Sequence, residues 1–338
     1  MPDDLLSMDD LEALRRDVEK ATGTRIYFGS DDRLRLEKLP LDIPAVDHAL
    51  AGGFGFDRVT LIIGEFSAGK TLLAMFAIRA AQRRDLSVAY VDGEKTWTPE
   101  WASQLGIDPS KVIVVRPRTG EDAFNAALAL VRRRIGLLVI DSLASLRPRV
   151  ETEGSESEVF NAVQVGAHAR LINRGIQDLE SENSGTCILA INQLRSGIGG
   201  YGNPETLPGG KGQGFYAWQI VRVRRARFIE DDGRRIGYVL RIRVEKSKQS
   251  EPFREAEVHY RFTGEIDEIV GLIETALETG AIRRDGVNYY IDDVDPETGE
   301  VRTHRFWGRP RLTEALKGSQ ELREAVSRAM QRAPDMTV

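Results

Sequence analysis

The chain has 338 residues, 41% of them hydrophobic, which is enough for a large core with one or two smaller units. Lys and Arg number 47 against 52 Asp and Glu, a net charge of −5, so no global basic signature points to nucleic acid, although a local basic groove can sit on an acidic protein. The single cysteine excludes an internal disulfide framework and fits a reducing, cytoplasmic compartment, four scattered histidines suggest no metal cluster, and no apolar run is long enough to span a bilayer.

The acidic start, Met1-Pro2-Asp3-Asp4, does not read as a signal peptide. From residue 8 to 21, Leu11, Leu14 and Val18 form one helical stripe, with Asp9 and Asp10 in the first turn, where negative charge is favoured. Arg25-Ile26-Tyr27-Phe28 reads as a short strand. A helix and strand placed ahead of a main domain can dock on another subunit or pack on their own core, and the residues alone leave both readings open.

Residues 39 to 55 lead into Val59-Thr60-Leu61-Ile62-Ile63, a buried strand, followed by Gly64-Glu65-Phe66-Ser67-Ala68-Gly69-Lys70-Thr71 and a helical pattern. This is G-x-x-x-x-G-K-[ST] in the strand–loop–helix context that the motif demands. Glycines let the backbone curl so that successive N–H groups face an anion, and the helix that starts there adds its positive dipole end. Lys70 would reach the β- and γ-phosphates of ATP, and the Thr71 hydroxyl would hold Mg²⁺.

Further buried strands follow at 86–92, 113–115, 135–140 and 186–191, separated by helical stretches at 122–134 and 159–179. Cys187 lies inside the last of these strands. Strands alternating with helices imply an α/β fold with a mostly parallel central sheet, in which ligands bind beyond the carboxyl ends of the strands. Glu94, Asp141 and Gln193 lie at such ends. Residues 195–214 form a long loop dense in glycine, and a loop of that length inside a compact domain is usually functional or disordered. Residues 219–227 and 237–244 have hairpin character around Asp231-Asp232-Gly233. Arg222, Arg224, Arg225, Arg227, Arg241 and Arg243 crowd there, followed by Lys246 and Lys248, and the solvated outer face of a sheet is the expected setting for most of these arginines. Residues 264–338 read as a small α+β C-terminal domain with helices near 266–277 and 312–330. The expected division is an arm at 1–35, a core at 36–263 and this last domain.

Phosphoryl transfer to water needs a phosphate cradle, a metal and a group that orients the attacking water. Asp141 is the expected Mg²⁺ partner acting through water, and Glu94 the expected water-activating carboxylate. Gln193 is placed to contact the γ-phosphate and pass its state into the adjoining glycine-rich loop.

The chain resembles the RecA-type recombinases of bacteria and phages. The residues that carry the likeness are Gly64 to Thr71, Val91-Asp92-Gly93-Glu94, Val139-Ile140-Asp141-Ser142, Glu151-Thr152-Glu153-Gly154, Ile191-Asn192-Gln193-Leu194-Arg195, Gly202-Asn203-Pro204-Glu205-Thr206 with Gly209-Gly210, Phe215-Tyr216-Ala217, and Lys246-Ser247-Lys248 with Pro252-Phe253. The phosphate loop alone specifies only a P-loop ATPase; the later blocks, in this order, are far more specific.

The resemblance implies a DNA-dependent ATPase with a RecA-like core. It would polymerise as a helical filament on single-stranded DNA and exchange strands with homologous double-stranded DNA. ATP and Mg²⁺ would be held by Gly64, Glu65, Phe66, Ser67, Ala68, Gly69, Lys70, Thr71 and Leu72, with Asp141, and Trp101 would stack on adenine. Glu94 and Gln193 match the water-activating glutamate and the γ-phosphate sensor. Lys246 and Lys248 match lysines that reach the ATP of a neighbouring subunit. Residues 153–170 and 195–214 match the two DNA-binding loops, with Arg170, Arg195, Ile198, Gly199, Gly200, Tyr201, Gly209, Gly210 and Lys211 as the contacts. The helix and strand at the start match the arm that docks on the next subunit. Ile220 stands where the family carries an interface arginine, and the stretch from Lys95 to Trp101 departs from the family pattern. Two alternatives remain on sequence grounds: a ring motor or helicase of the same core fold, and an ATP-gated DNA-coating scaffold that recruits partners.

Overall fold

The computed structural model describes residues 6–152, 166–196, 205–210, 212–295 and 298–332. The chain divides into two compact units, Met1–Glu37 and Lys38–Val338.

In the first unit a helix spans Met8–Thr22, opened by a capping box between Ser7 and Asp10 and closed by Gly23 in the left-handed conformation. None of its residues is fully buried, and Met8 and Leu14 are exposed. The expected strand at Arg25–Phe28 does not form. A strand needs a neighbouring edge for its amides; here the Ile26 amide donates to the Glu19 carboxylate at 2.9 Å, and Arg15 and Arg33 lie over the rings of Phe28 and Tyr27.

In the second unit β1 (Lys38–Leu39) pairs antiparallel with β2 (Phe54–Gly55). The main sheet then takes β3 (Arg58–Gly64), β4 (Val88–Asp92), β5 (Val112–Val115), β6 (Leu137–Asp141) and β7 (Cys187–Gln193). Two short strands, β8 (Arg195–Ser196) and β9 (Glu205–Thr206), pair at the base of what reads from sequence as one continuous loop. The sheet continues with β10 (Gln219–Asp231), β11 (Arg234–Ser247), β12 (Glu255–Arg261) and β13 (Ile266–Asp267). Its order is β13-β12-β11-β10-β3-β7-β6-β4-β5, parallel from β10 to β5 and antiparallel from β13 to β10. Asp232 and Gly233, both at positive φ, make the tight β10–β11 turn, the conformation whose twist suits a two-residue hairpin.

Strand periodicity divides the core between the two faces. Ile62, Val139, Leu189, Ile191, Val221 and Leu240 pack with Leu73, Phe76 and Ala77 of the helix Lys70–Gln82. The alternate positions, among them Leu61, Ile63, Leu138, Ile140 and Ala190, pack with Phe124 and Ala127 of the helix Gly120–Val131 and Ile172 and Ile176 of the helix Ala167–Glu182. Helices on both faces of a largely parallel sheet make the α/β core expected from the sequence.

A third cluster gathers Leu272 and Ile273 of the helix Glu268–Glu278 with Ile291, Leu312, Val326 and Met330. It lies against the antiparallel sheet of β14 (Ile282–Asp285), β15 (Asn288–Val294) and β16 (Val301–Trp307). The expected helix 312–330 is two helices, Arg309–Gly318 and Gln320–Arg332, because Ser319 is extended at φ −124° and ψ 115°. Likewise the helix expected from 266 begins at Glu268, with Asp267 as its cap, because Ile266 and Asp267 pair with β12.

Asp47, in the short helix Pro44–Ala49, accepts the Leu41 amide at 2.6 Å, and its burial pushes its carboxyl up to about 7. The folded state therefore holds a proton that the unfolded chain releases at a pKa of about 4, so stability falls as pH rises between about 4 and about 7. For Asp47→Asn we expect a flatter curve of melting temperature from pH 5 to pH 8, with about 2 kcal/mol of the decline removed.

Candidate nucleotide site

The phosphate loop leaves β3 at Gly64, with β10 and β7 as neighbours. A Cβ on Gly64 would stand 2.2 Å from the Val223 carbonyl oxygen, so only glycine permits this approach of the two strands. The helix Lys70–Gln82 then starts from Gly69 with no side-chain cap, leaving its first amides directed at the loop. Lys70, 9% exposed, donates to the carbonyls of Gly64 at 3.1 Å and Glu65 at 2.6 Å, and burial lowers the pKa of its ammonium. A buried ammonium, free helix amides and a curled backbone form a cradle of phosphate chemistry.

Beside it Thr71 donates to Asp141 Oδ2 at 2.7 Å. Tyr90, fully buried on β4, donates to the same oxygen at 2.7 Å. Burial raises the pKa of the Asp141 carboxyl, and the two hydroxyl donors oppose that rise. A hydroxyl and a carboxylate are oxygen donors suited to a hard cation such as Mg²⁺.

Asp92 and Asp141 are partners across the parallel β4–β6 pair, so the chain turns out of both strands side by side. The amides of Gly93 and Glu94 donate to the Asp141 carbonyl at 2.8 and 3.2 Å. Glu94 also accepts a hydrogen bond from Ser142 Oγ, and its charge acts on both Lys70 and Asp141. Gln193 pairs with Gly64 across β3–β7, and the Leu194 amide donates to the Gly64 carbonyl at 2.9 Å. Lys70, Thr71, Glu94, Asp141 and Gln193 are thus brought together at one edge of the sheet.

Other expected residues lie apart from that group. Trp101 is half-buried against the core. Lys246 Nζ donates to the carbonyls of Gly214 at 2.7 Å and Ala217 at 2.8 Å, closing the short helix Gly212–Tyr216. Lys248 is exposed. Lys246 is the register partner of Ile220, itself opposite Leu61, so both lysines lie toward the amino-terminal end of β3, away from their own phosphate loop.

Arg170 is exposed in the first turn of the helix Ala167–Glu182. Gly209 is buried against Ile172 of that helix, with no room beyond its Cα, and Gly210 is exposed. Arg195 is described only as part of β8, and Ile198, Gly199, Gly200, Tyr201, Lys211 and residues 153–165 lie outside the described residues.

Arg224, Arg225 and Arg227 are exposed, as expected of a solvated sheet face, and Arg222, Arg241 and Arg243 half-buried. Arg222, Arg224, Arg225, Arg241 and Arg243 also line a cleft of about 580 Å³ together with Gly64, Glu65 and Leu194. The cause is register: β10 runs parallel to β3, which sets Arg222 opposite Ile63, and its next residues lie level with the phosphate loop. Arg225 Nη2 donates to the Ser67 carbonyl at 2.6 Å, and Arg222 pairs with Glu245 at 2.7 Å.

Sequence reasoning passes over three further residues. Tyr90 reads only as one apolar strand position. Asn192, fully buried, donates to the Pro208 carbonyl at 2.9 Å and to Gln213 Oε1 at 2.8 Å, and Gln213 donates back to Pro208 and Gly210. This network ties the end of β7, next to Gln193, to the returning limb of the glycine-rich segment. Asn192 reads in the sequence only as a member of the block from Ile191 to Arg195, with no role of its own, and no pattern marks Tyr90 or Gln213. Glu257, His259 and Glu274 also bring ligand atoms within 4.8 Å of one another, but each carboxylate already faces an arginine.

Fold and site together define a P-loop nucleotide-binding protein built on an α/β sheet. The profile of the RecA N-terminal domain matches residues 10–267. Protein RecA of Nocardioides sp. is 37% identical over 303 residues, covering 88% of this chain and 85% of the relative. Protein RecA of Frankia alni is 38% identical over 296 residues, covering 86% and 84%, and that of Aquifex aeolicus 32% over 327 residues, covering 94% and 93%. The chain belongs to the RecA family of recombinases, and its function lies in DNA recombination and repair. Neither the ring-motor nor the scaffold alternative is favoured.

For Gly64→Ala we expect a loss of roughly 2–4 kcal/mol in urea unfolding, because the added methyl group meets backbone rather than a side chain that can move.

Proposed function

We propose that the protein is an ATP hydrolase that assembles as a filament on single-stranded DNA and pairs that strand with homologous duplex. The observation that carries this reading is the convergence of Lys70, Thr71, Glu94, Asp141 and Gln193 at the carboxyl ends of β3, β4, β6 and β7. Family membership supports the same reading.

Lys70 exchanges its bonds to the Gly64 and Glu65 carbonyls for phosphate oxygens, so that a donor held ready inside the loop meets the anion at little reorganisation cost. Thr71 and, through water, Asp141 would hold Mg²⁺, which when bound would supply positive charge against the β- and γ-phosphates. Glu94, oriented by Ser142, aligns and deprotonates the attacking water. Trp101 offers a ring for adenine at the margin of the core.

Gln193 senses the γ-phosphate, and the bonds of its neighbour Asn192 to Pro208 and Gln213 carry its state toward the second DNA loop. Arg170, Arg195, Ile198, Gly199, Gly200, Tyr201, Gly209, Gly210 and Lys211 contact DNA in this reading, and the arginine cleft supplies the local positive field that the net charge of −5 lacks. The amphipathic helix Met8–Thr22 docks on the next subunit, and 264–338 acts as a separate C-terminal domain. Among the described residues no helix is long and apolar enough to cross a membrane, which suits a cytoplasmic protein of a bacterium or an infected host.

The test is strand exchange with ATP and with a slowly hydrolysed analogue, imaged in parallel for filaments. The wild-type chain exchanges strands. Lys70→Ala loses ATP turnover, and Glu94→Gln retains nucleotide and DNA binding but stalls hydrolysis. Normal turnover by either variant removes that residue from its role, and unwinding without exchange overturns the recombinase reading.

Because Lys246 is engaged within its own chain and Lys248 is exposed, Lys248 is the residue better placed for the ATP of a neighbouring copy. We expect Lys248→Ala to weaken ATP-dependent assembly, read by light scattering, with melting temperature unchanged.

A further inference from the structure

Tyr90 has no role in the chemistry assigned above, yet its hydroxyl ends on the carboxylate assigned to the metal. The phenol donates to Asp141 Oδ2 at 2.7 Å, the same oxygen that accepts from Thr71 at 2.7 Å. The Tyr90 ring lies 5.0 Å from that of Trp97, which is 7% exposed. The loop that supplies Thr96 and Trp97 is fixed in turn. Asp92 accepts the amides of Thr96 at 2.9 Å and Trp97 at 3.3 Å, and Arg116 bonds both Asp92 and the Trp97 carbonyl. Hydrogen bonds therefore join Tyr90 and Thr71 through Asp141, and the ring contact with Trp97 joins Tyr90 to the loop.

We propose that Tyr90 is a positioning residue for the metal site, setting the orientation of Asp141 and linking it to the loop 95–98. The physical case is one of lone pairs. Thr71 and Tyr90 together occupy Oδ2, so Oδ1 is the oxygen that would be left to accept from a water on a bound ion. Without the phenol, a single rotatable hydroxyl holds the carboxylate, and Oδ1 is no longer fixed. Partners that orient a metal-bound group typically tune its affinity by tenfold or more, and the effect is smaller where the carboxylate acts through water. The stretch following Glu94 is also where this sequence departs from the family pattern, so the link gives those residues a route to the metal.

The proposal rests on the reading of this site as one for ATP and Mg²⁺. The full-length chain and Tyr90→Phe are titrated with a fluorescent ATP analogue in EDTA and across a Mg²⁺ series, and their melting temperatures are recorded. Phenylalanine keeps the ring against Trp97 and removes only the hydroxyl. We expect equal affinity in EDTA, and a Mg²⁺ concentration for half-maximal tight binding raised roughly three- to tenfold in the variant. An unchanged Mg²⁺ requirement overturns the proposal, even if the melting temperature drops, since that outcome assigns Tyr90 to packing alone. An equal loss in EDTA and in Mg²⁺ also overturns it. If the wild-type chain binds no analogue under either condition, the nucleotide reading itself fails; normal wild-type binding with an unaltered variant sinks only the role of Tyr90.

Discussion

A carboxylate taken out of water costs several kcal/mol unless its lone pairs are filled, and Asp141 is 2% exposed at the end of β6. The hydroxyls of Thr71 and Tyr90 meet that requirement, and in doing so they join β4, β6 and the phosphate-loop helix at one point. The Asp141 carbonyl, in the same residue, accepts the amides of Gly93 and Glu94 and so fixes where Glu94 leaves β4. Loss of this node would leave a buried charge uncompensated and detach Glu94 and Thr71 from a common frame. The same bonds that make the site affordable to fold also hold it in register for its chemistry.

Parallel pairing decides the rest of the arrangement. Because β10 runs beside β3, its arginines come level with the phosphate loop, and Arg225 reaches the Ser67 carbonyl. On the other side β7 brings Gln193 opposite Gly64, while Asn192 anchors Pro208 and Gln213. The nucleotide pocket is therefore flanked by a basic cleft and by the return of the glycine-rich segment, each one strand away. A change in the loop backbone has a short path to both. Lys246 and Lys248 lie toward the opposite end of these strands, away from the phosphate loop of their own chain.

The charge balance shows why whole-chain sums are a poor guide to partners. The net charge is −5, yet five arginines meet in one cleft, with Glu245 and Glu255 setting their geometry. The field near a polyanion depends on such local gatherings, within a Debye length of about 10 Å, and not on the total.

Much of this protein was legible in its sequence. Alternation of buried strands and amphipathic helices announced the α/β core, because side-chain burial has to follow the period of each element. The phosphate loop, Asp141, Glu94 and Gln193 were legible because their chemistry demands particular residue types at strand ends. What depended on partners was not. Arg25–Phe28 has strand-like residues but no edge to pair with, and 312–330 has helical periodicity yet breaks at Ser319. Tyr90 sits in an apolar run that marks it only as buried, and Asn192 reads only as one residue of the block from Ile191 to Arg195. Their roles come from what stands opposite them: Asp141 from a strand 51 positions away for Tyr90, and Gln213 after a return of 21 for Asn192. Local pattern determined the elements and the chemical vocabulary of the site, while the tertiary structure alone decided which polar groups share a lone pair, because that choice is made by register between strands distant in the chain.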